Sequence, residues 1–474
     1  MRATLPAALL LLLASTSAPQ AAPNIVVIMT DDQEDTGSMA YMPKTHALLA
    51  EKGLTFTNSF VDLPLCAPSR ASFLTGQSAH NTGIKANNPK DGGGWGAFKD
   101  KEQDALPVWL QDAGYKTALI GKYLNRYGQE STIGSLLSWA GSYLDISFTG
   151  PKIGNPSDWV PPGWDLWYAF TGSRARYYDY SINENESIKT FGSGASDYST
   201  DVLKERAIRF IKEQSAATEP FFMLIATKAV HSQGKCAIPA PQHQDAFKGV
   251  SLPFKPEDMK KRAGESKEDI EKCYRAELQS LQSVDDLVAS VIDALQSAGK
   301  LDDTVIVYTS DNGFLFGQHG LMGKSAPFEE AIRVPLVMRG PGIPENQTRS
   351  QLVNNLDVVA TIVELAGASP ERPLDGRSLK PLFANANAPW RSAIAFESPS
   401  AHFMGPAERY SGVRTATRKY IKFDSGKERL YDLAADPHES KSRMSEKSYA
   451  GDLARLRSLN DKLKSCAGET CWVP

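Results

Sequence analysis

The segment Asn24–Thr30 (NIVVIMT) is apolar at nearly every position and rich in β-branched residues, the pattern of a strand buried on both faces. Pro43–Lys52 reads as a helix, with Gly53 placed to end it, and Leu106–Ala113 as another, stopped by Gly114. Thr117–Ile120 is a short strand, Asp201–Gln214 has helical periodicity, and Phe221–Ala226 (FFMLIA) is again a strand. Between Glu271 and Ala298, Leu278, Leu281, Val284, Val288, Val291 and Leu295 recur at helical spacing before Gly299. Val305–Thr309 predicts a strand and Asp357–Ala366 a helix. Strands alternating with helices from Asn24 to about Leu382 argue for an α/β domain with a mostly parallel central sheet flanked by helices. After Pro389 the texture changes. Tyr410–Phe423 alternates and turns like antiparallel strands, and Tyr449–Lys464 has the pattern of a terminal amphipathic helix. The expected organisation is therefore a leader (1–22), a large domain (23–384) and a small α+β subdomain with an antiparallel sheet (385–474). The charge-dense stretch Lys255–Lys272 reads as a solvated insertion.

A length of 474 residues suits one large domain plus a smaller one, and 41% hydrophobic with 23% charged residues is ordinary for a globular chain. The net charge of −3 gives no case for nucleic acid or an anionic membrane. Residues 1–22 read as an export signal: Arg2, then the apolar run Ala7–Ala14, then small residues through Ala22. The run is too short to span a bilayer, and no later stretch suits an anchor. A secreted protein is expected, whether extracellular, periplasmic or lysosomal. Of the five cysteines, Cys466 and Cys471 bracket a short loop and suit a bridge, and a Cys236–Cys273 bridge would pin the ends of the charged insertion. That leaves Cys66, either a buried free thiol or a reactive one. Asn185 and Asn346 lie in N-x-S/T sequons, glycan acceptors in a host that glycosylates.

Ligands of open α/β sheets bind beyond the carboxyl ends of the strands. Asp31 and Asp32 follow the first strand, Lys122 the Thr117–Ile120 strand, His231 the FFMLIA strand, and Asp311 and Asn312 the VIVYT strand. Asp and Asn favour turns in any case, but four such ends together predict a polar site along one edge of the sheet. Three carboxylates and an amide are hard oxygen ligands suited to Ca²⁺, and no His/Cys cluster has zinc spacing. The competing reading is two independent pairs of turn carboxylates. The sharpest motif is CAPSRASFLTG from Cys66 to Gly76. Pro68 fits the first turn of a helix and Gly76 its end, which sets Cys66 at an N-terminus that favours anions, with Arg70 one turn on to bind an anionic oxygen.

This motif resembles the C-x-P-S-R…T-G signature of the type I, formylglycine-dependent sulfatases of the alkaline phosphatase superfamily. The resemblance runs from Asn24 almost to the C-terminus. The segments LCAPSRASFLTG, GKYLNRYG, PPGWDLWYAF, FFMLIATKAVHS and SDNGFLFGQHG look most like the N-acetylglucosamine-6-sulfatase branch. Related 6-O-endosulfatases and some microbial and algal arylsulfatases share these features, but the long basic insertion of the endosulfatases is not seen. The resemblance implies an alkaline-phosphatase-like fold. It also implies that a formylglycine-generating enzyme oxidises Cys66 to formylglycine (3-oxoalanine). One hydroxyl of the hydrated aldehyde attacks sulfur and expels the alcohol, and the other then loses a proton so that sulfate is eliminated. By position, Asp31, Asp32, Asp311, Asn312 and the modified Cys66 would hold Ca²⁺, with Asp311 also accepting the hydroxyl's proton. Arg70 would hold the hydrate and help bind the metal-site oxygens. Lys122 and Lys324 would bind the sulfate, and His231 would bond the ester oxygen and, with Lys324, protonate the leaving alcohol. Taken alone, each lysine or histidine reads as a solvated charge or a structural group.

One position departs from the family. Many members carry a histidine two residues after the first lysine, assigned to sulfate elimination, where this chain has Leu124 followed by Asn125. His80 and His319 are the other candidates for that proton acceptor. Asp91–Gly96 (DGGGWG) reads as a mobile surface loop or a lid whose Trp95 stacks on a sugar. Trp159, Trp164 and Trp167 suit either a glycan cleft or core packing around the long helix. The expected substrate is a 6-O-sulfated glucosamine unit. The alternatives are a broad arylsulfatase, a phosphate or phosphonate ester hydrolase, or a non-catalytic sulfoglycan-binding protein.

Overall fold

Strand β1 (Asn24–Asp31) is buried at every position, as its unbroken apolar run requires. This computed structural model describes residues 22–128, 158–172, 174–253, 266–399 and 408–473; the leader up to residue 21 and the 255–265 part of the charged stretch lie outside them. The other strands of the main sheet are β2 (Leu54–Phe56), β3 (Lys116–Gly121), β4 (Leu166–Thr171), β5 (Tyr180–Glu184), β6 (Ser187–Phe191), β7 (Phe221–Val230), β8 (Thr304–Ser310), β9 (Leu336–Arg339) and β10 (Gln347–Arg349). Their spatial order is β10-β2-β9-β8-β1-β7-β3-β4-β5-β6. The centre, β8-β1-β7-β3-β4, is parallel throughout. The flanks are mixed: β9 runs antiparallel to both β8 and β2, and β4, β5 and β6 form an antiparallel meander. The expected mostly parallel sheet is thus parallel where helices cover both faces and mixed at its edges. The β5–β6 connection is a tight turn at Asn185 and Glu186, both at positive φ, too short for a crossover helix.

Helices α1 (Cys66–Thr75), α2 (Leu106–Asp112), α3 (Ser199–Glu213), α4 (Lys267–Ser297) and α5 (Asn355–Ala366) pack on this sheet. Alternate residues of β1 divide between them. Val26 and Ile28 join Leu203 of α3 and Leu278 and Leu281 of α4, whereas Ile25 and Val27 join Phe73 of α1, Leu110 of α2 and Ile362 of α5. The predicted helix over 43–52 is an α turn, Pro43–Thr45, running into a π turn, His46–Ala50. Residues 267–272 are not a solvated insertion but the first turns of α4. Ser266 caps them by accepting from Asp269 N, with Asp269 reaching back to the cap, and this capping box starts the helix earlier than its apolar stripe does. Trp164 and Trp167 are core residues, but on the α1/α2 face rather than around α4, with Trp167 set edge-on to Tyr123 and Tyr127. Trp159 stays 42% exposed.

Beyond the main sheet, β11 (Ala393–Glu397), β12 (Tyr410–Thr415), β13 (Arg418–Phe423) and β14 (Glu428–Asp432) form a separate antiparallel sheet. Helix α6 (Ala450–Leu463) covers it through Leu456 and Leu463 against Val413, Tyr420 and Leu430. Both expected disulfides form. Cys236–Cys273 joins the segment after β7 to α4, with Cα atoms 4.7 Å apart, and Cys466–Cys471 closes the C-terminal loop, while Cys66 is free and buried. Among the described residues, no helix is long and apolar enough to cross a membrane. Asn185 and Asn346 are both exposed.

Candidate active site

The carboxyl ends of β8, β1, β7 and β3 lie side by side, so residues remote in sequence converge there. Asp31 ends β1, and Asp32 turns the chain away at a φ of 72°, a left-handed conformation that Asp tolerates better than most residues. From β8, Asp311 Oδ1 accepts a hydrogen bond from Asp32 N at 3.1 Å, and Asn312 Nδ2 donates to Asp32 Oδ1 at 2.7 Å. At the end of β3, Gly121 has a φ of 118° and a Cβ there would lie 2.0 Å from Ala226 O. Glycine alone permits this approach, which lets Lys122 N donate to Ala226 O at 2.7 Å. The Lys122 ammonium then sits 2.5 Å from Asp31 Oδ2 and 3.8 Å from Asp311 Oδ2.

The fifth contribution is α1. Leu65 is extended, Cys66 is the first helical residue, and Gly76 closes the helix in the left-handed conformation. Ala67 N donates to Asn87 Oδ1 at 2.9 Å, which fixes the start of the helix. Cys66 Sγ lies 3.5 Å from Asp31 Oδ1 and 2.8 Å from Lys324 Nζ, and Lys324 also bonds Asp32 Oδ1. One turn along, Arg70 Nε donates to Asp311 Oδ2 at 2.8 Å and Nη1 to Lys122 O at 3.0 Å. His231, 30% exposed, stands at the mouth with Nε2 3.7 Å from Asp32 Oδ2. Its Nδ1 faces Ser232 O at 2.7 Å; a carbonyl only accepts, so Nδ1 carries the hydrogen and Nε2 turns its lone pair to the pocket.

Burial and charge act together on these groups. Burial raises the Asp31 carboxyl, but Lys122 and the other nearby cations more than reverse it and hold it well below the usual range. Burial, with Asp31 beside it, pushes Asp311 up despite Arg70. Burial pushes the Cys66 thiol up to about 11, so the encoded cysteine is a neutral thiol and a poor nucleophile. Burial and then Lys228 hold His231 well below the usual imidazole value. Two buried oxygens, Asp32 Oδ2 and Asn312 Oδ1, have no hydrogen-bond partner among the described residues. With Asp31 and Asp311 beside them, they form a set of hard oxygen donors that fits a cation such as Ca²⁺.

The structure thus gathers Asp31, Asp32, Cys66, Arg70, Lys122, His231, Asp311, Asn312 and Lys324 into one pocket. Lys228 was not anticipated. It is 5% exposed near the end of β7, its Nζ donates to Ser232 O at 3.0 Å, and burial, only partly offset by Asp31, brings it down to about 7. Its signal was a lone charge in the otherwise apolar FFMLIATKAV. Leu124 is buried, and Asn125 Oδ1 is buried without a hydrogen-bond partner among the described residues. The DGGGWG segment is neither an open loop nor a sugar platform. Gly94–Phe98 is a short helix whose Trp95 is buried and donates to Glu102 Oε1 at 2.9 Å, because the indole N–H has a partner only inside.

His319 stacks on Phe328 rather than facing Cys66. His80 bridges to the second sheet: Nδ1 lies 2.9 Å from Glu397 Oε1 and Nε2 2.9 Å from Cys466 O. Both partners are acceptors, so only the imidazolium satisfies both. Burial lowers the His80 pKa, but Glu397 outweighs it and the value rises. Stability from this contact is present below the unfolded value of about 6.5 and lost as pH rises through the folded value. His80→Asn is expected to cost about 1.5–3 kcal/mol at acidic pH, the worth of a hydrogen bond to a charged group, and less at alkaline pH. Urea melts at pH 5.5 and 9 check this, and an equal deficit at both shows a neutral His80.

A parallel-centred α/β sheet with a cation-lined, oxygen-rich pocket around a helix-start cysteine defines an alkaline-phosphatase-like hydrolase of anionic esters. The chain belongs to the sulfatase family, the sulfuric ester hydrolases: residues 23–368 match that family, and residues 317–466 match the C-terminal region of N-sulphoglucosamine sulphohydrolase. The N-acetylglucosamine-6-sulfatase of Homo sapiens is 34% identical over 95% of this chain and 86% of its own length. The arylsulfatase of Chlamydomonas reinhardtii is 30% identical over 95% and 76%. A solved enzyme in complex with its substrate D-glucosamine-2-N,6-O-disulfate superposes with a TM-score of 0.74 at 25% identity, covering 94% of this chain and 97% of that one.

Proposed function

We propose that this sulfatase removes 6-O-sulfate from N-acetylglucosamine-type sugars, using Ca²⁺ and a formylglycine made from Cys66 by a formylglycine-generating enzyme. The observation that carries it is the start of α1, where Cys66 faces Asp31 and Lys324 with Arg70 one turn behind. The relatives named N-acetylglucosamine-6-sulfatase support the choice of sugar. The Cys66 Sγ stands where the oxygens of the modified side chain would lie. Asp31, Asp32, Asp311 and Asn312 would hold Ca²⁺, which when bound polarises a sulfate oxygen and lowers the pKa of an attacking hydroxyl. Lys324 at Cys66 Sγ and Lys122 beside Asp31 would clamp the sulfate oxygens. Arg70 keeps Asp311 oriented to take the nucleophile's proton. His231 stands at the mouth, on the side from which the sugar would leave, where its Nε2 would have to take up a proton before donating it to the ester oxygen. Two disulfides and the leader-like start support export to an oxidising compartment, with Asn185 and Asn346 open to glycans there.

The test pairs the mass of the Cys66 peptide from natively expressed protein with relative turnover of N-acetylglucosamine 6-sulfate, 4-nitrophenyl sulfate and the matching phosphate esters. A mass deficit for thiol-to-aldehyde conversion and preference for the 6-sulfated sugar is expected. Preference for the aryl ester would make it a broad arylsulfatase, and wholly unmodified Cys66 would leave a sulfoglycan-binding protein.

A further inference from the structure

His319, Glu330 and Glu439 meet where the hairpin preceding Lys324 packs on the C-terminal sheet, and the proposed reaction uses none of them. His319 lies in the turn between the short strands Leu315–Phe316 and Met322–Gly323, with its ring stacked on Phe328, centroids 3.6 Å apart. Glu330 sits in the helical turn Glu329–Ile332, and Glu439 in the segment after β14. One ligand atom from each lies within 4.8 Å of the others. Glu330 is 6% and Glu439 2% exposed. His319 Nε2 and Glu330 Oε2 are buried without a hydrogen-bond partner among the described residues. Such an atom costs about 1–3 kcal/mol when left unsatisfied. The nearby cations are already shared: Lys419 lies 2.8 Å from Glu439 Oε1 but 2.7 Å from Glu329 Oε1, and Arg414 pairs with Glu329 at 3.2 Å. Carboxylates Glu329, Glu330 and Glu439 thus outnumber Lys419 and Arg414.

The His319 Nε2–Glu330 Oε2 separation is 3.6 Å, too long for a hydrogen bond. It is close to the ~3.4 Å edge of a tetrahedron of ligands held ~2.1 Å from a zinc ion. We propose that His319, Glu330 and Glu439 bind a second cation, Zn²⁺ or a similar transition-metal ion, that fastens the hairpin leading to Lys324 onto the C-terminal sheet. One imidazole and two carboxylates with a fourth position for water is a zinc ligand set, whereas Ca²⁺ takes oxygen ligands. The competing occupant is a proton on His319, which would pair it with Glu330.

The full chain, purified without a metal-affinity tag and equilibrated with ZnCl₂ in excess Ca²⁺, is gel-filtered and its zinc counted by mass spectrometry. About one zinc per chain is expected in the wild type and in Asp32→Asn, and nearly none in His319→Ala or Glu439→Gln. A zinc-free wild type, variants that retain zinc as the wild type does, or loss confined to Asp32→Asn would each overturn the site. Should the variants not fold, zinc K-edge absorption of the wild type decides: a nitrogen/oxygen shell with one imidazole supports the site, and any other shell removes it.

Discussion

Cys66→Ser is expected to lower steady-state turnover of a sulfate ester by at least ~10⁴-fold, while a single stoichiometric burst of alcohol leaves one sulfo group on the protein. The reasoning starts from the pocket rather than the residue type. Lys122, Lys324 and Arg70 surround the position with positive charge, and Asp311 can take a proton, so a serine hydroxyl there can still attack sulfur. It carries no second hydroxyl, so the adduct has no internal route to expel sulfate. Intact mass after incubation with 4-nitrophenyl sulfate reads the trapped group. Cys66→Ala gives neither burst nor adduct. A serine variant that turns over at wild-type rates would end the formylglycine reading.

Arg70→Ala is expected to damage both folding and turnover. Arg70 is 4% exposed, and its Nε supplies the hydrogen bond on Asp311 Oδ2, with Lys122 Nζ the next cation at 3.8 Å. Breaking a buried pair by removing one partner strands the other charge and costs about 3–5 kcal/mol. It also loosens the Lys122 carbonyl, which accepts from Nη1. Turnover should fall by about 10²–10³-fold, the usual cost of one oriented donor at a developing charge. Arg70→Lys separates the two effects: it restores a cation for Asp311 and much of the stability, but not the forked geometry or the rate. Urea melts and kcat/KM on the same preparations measure both.

The parts of the molecule legible in the sequence are those where burial and chemistry write distinct patterns. NIVVIMT followed by Asp31 and Asp32 announces a doubly covered strand and a polar end, and CAPSRASFLTG announces a helix with a defined start and stop. The β5–β6 hairpin was invisible because Ser187–Phe191 is largely exposed and carries no burial pattern. Lys228 was missed because a charge inside FFMLIATKAV looks like the end of a strand, whereas β7 continues to Val230 and pairs it with Asp31. His80 and His319 entered the candidate list by residue type alone. The partners of His80, Glu397 and the Cys466 carbonyl, come from the distant C-terminal half, and although Phe328 and Glu330 follow His319 within a dozen residues, Glu439 does not, so neither cluster leaves a local pattern. Trp95 was placed outward by its glycine neighbours, yet Glu102 draws the indole in.

Cys66 has no solvent exposure in the folded chain. An enzyme that oxidises it must therefore reach the CAPSR segment while that segment is still extended, so the proposed maturation is a race against folding. The pocket closes only when β8 docks beside β1, roughly 240 residues of synthesis after Cys66, which at about 5–20 residues per second leaves an interval of tens of seconds. Variants that speed the docking of α1, or hosts that translate faster, should yield more unmodified protein with an identical fold. The fraction of active molecules in a preparation would then record the kinetics of biosynthesis rather than the stability of the finished enzyme.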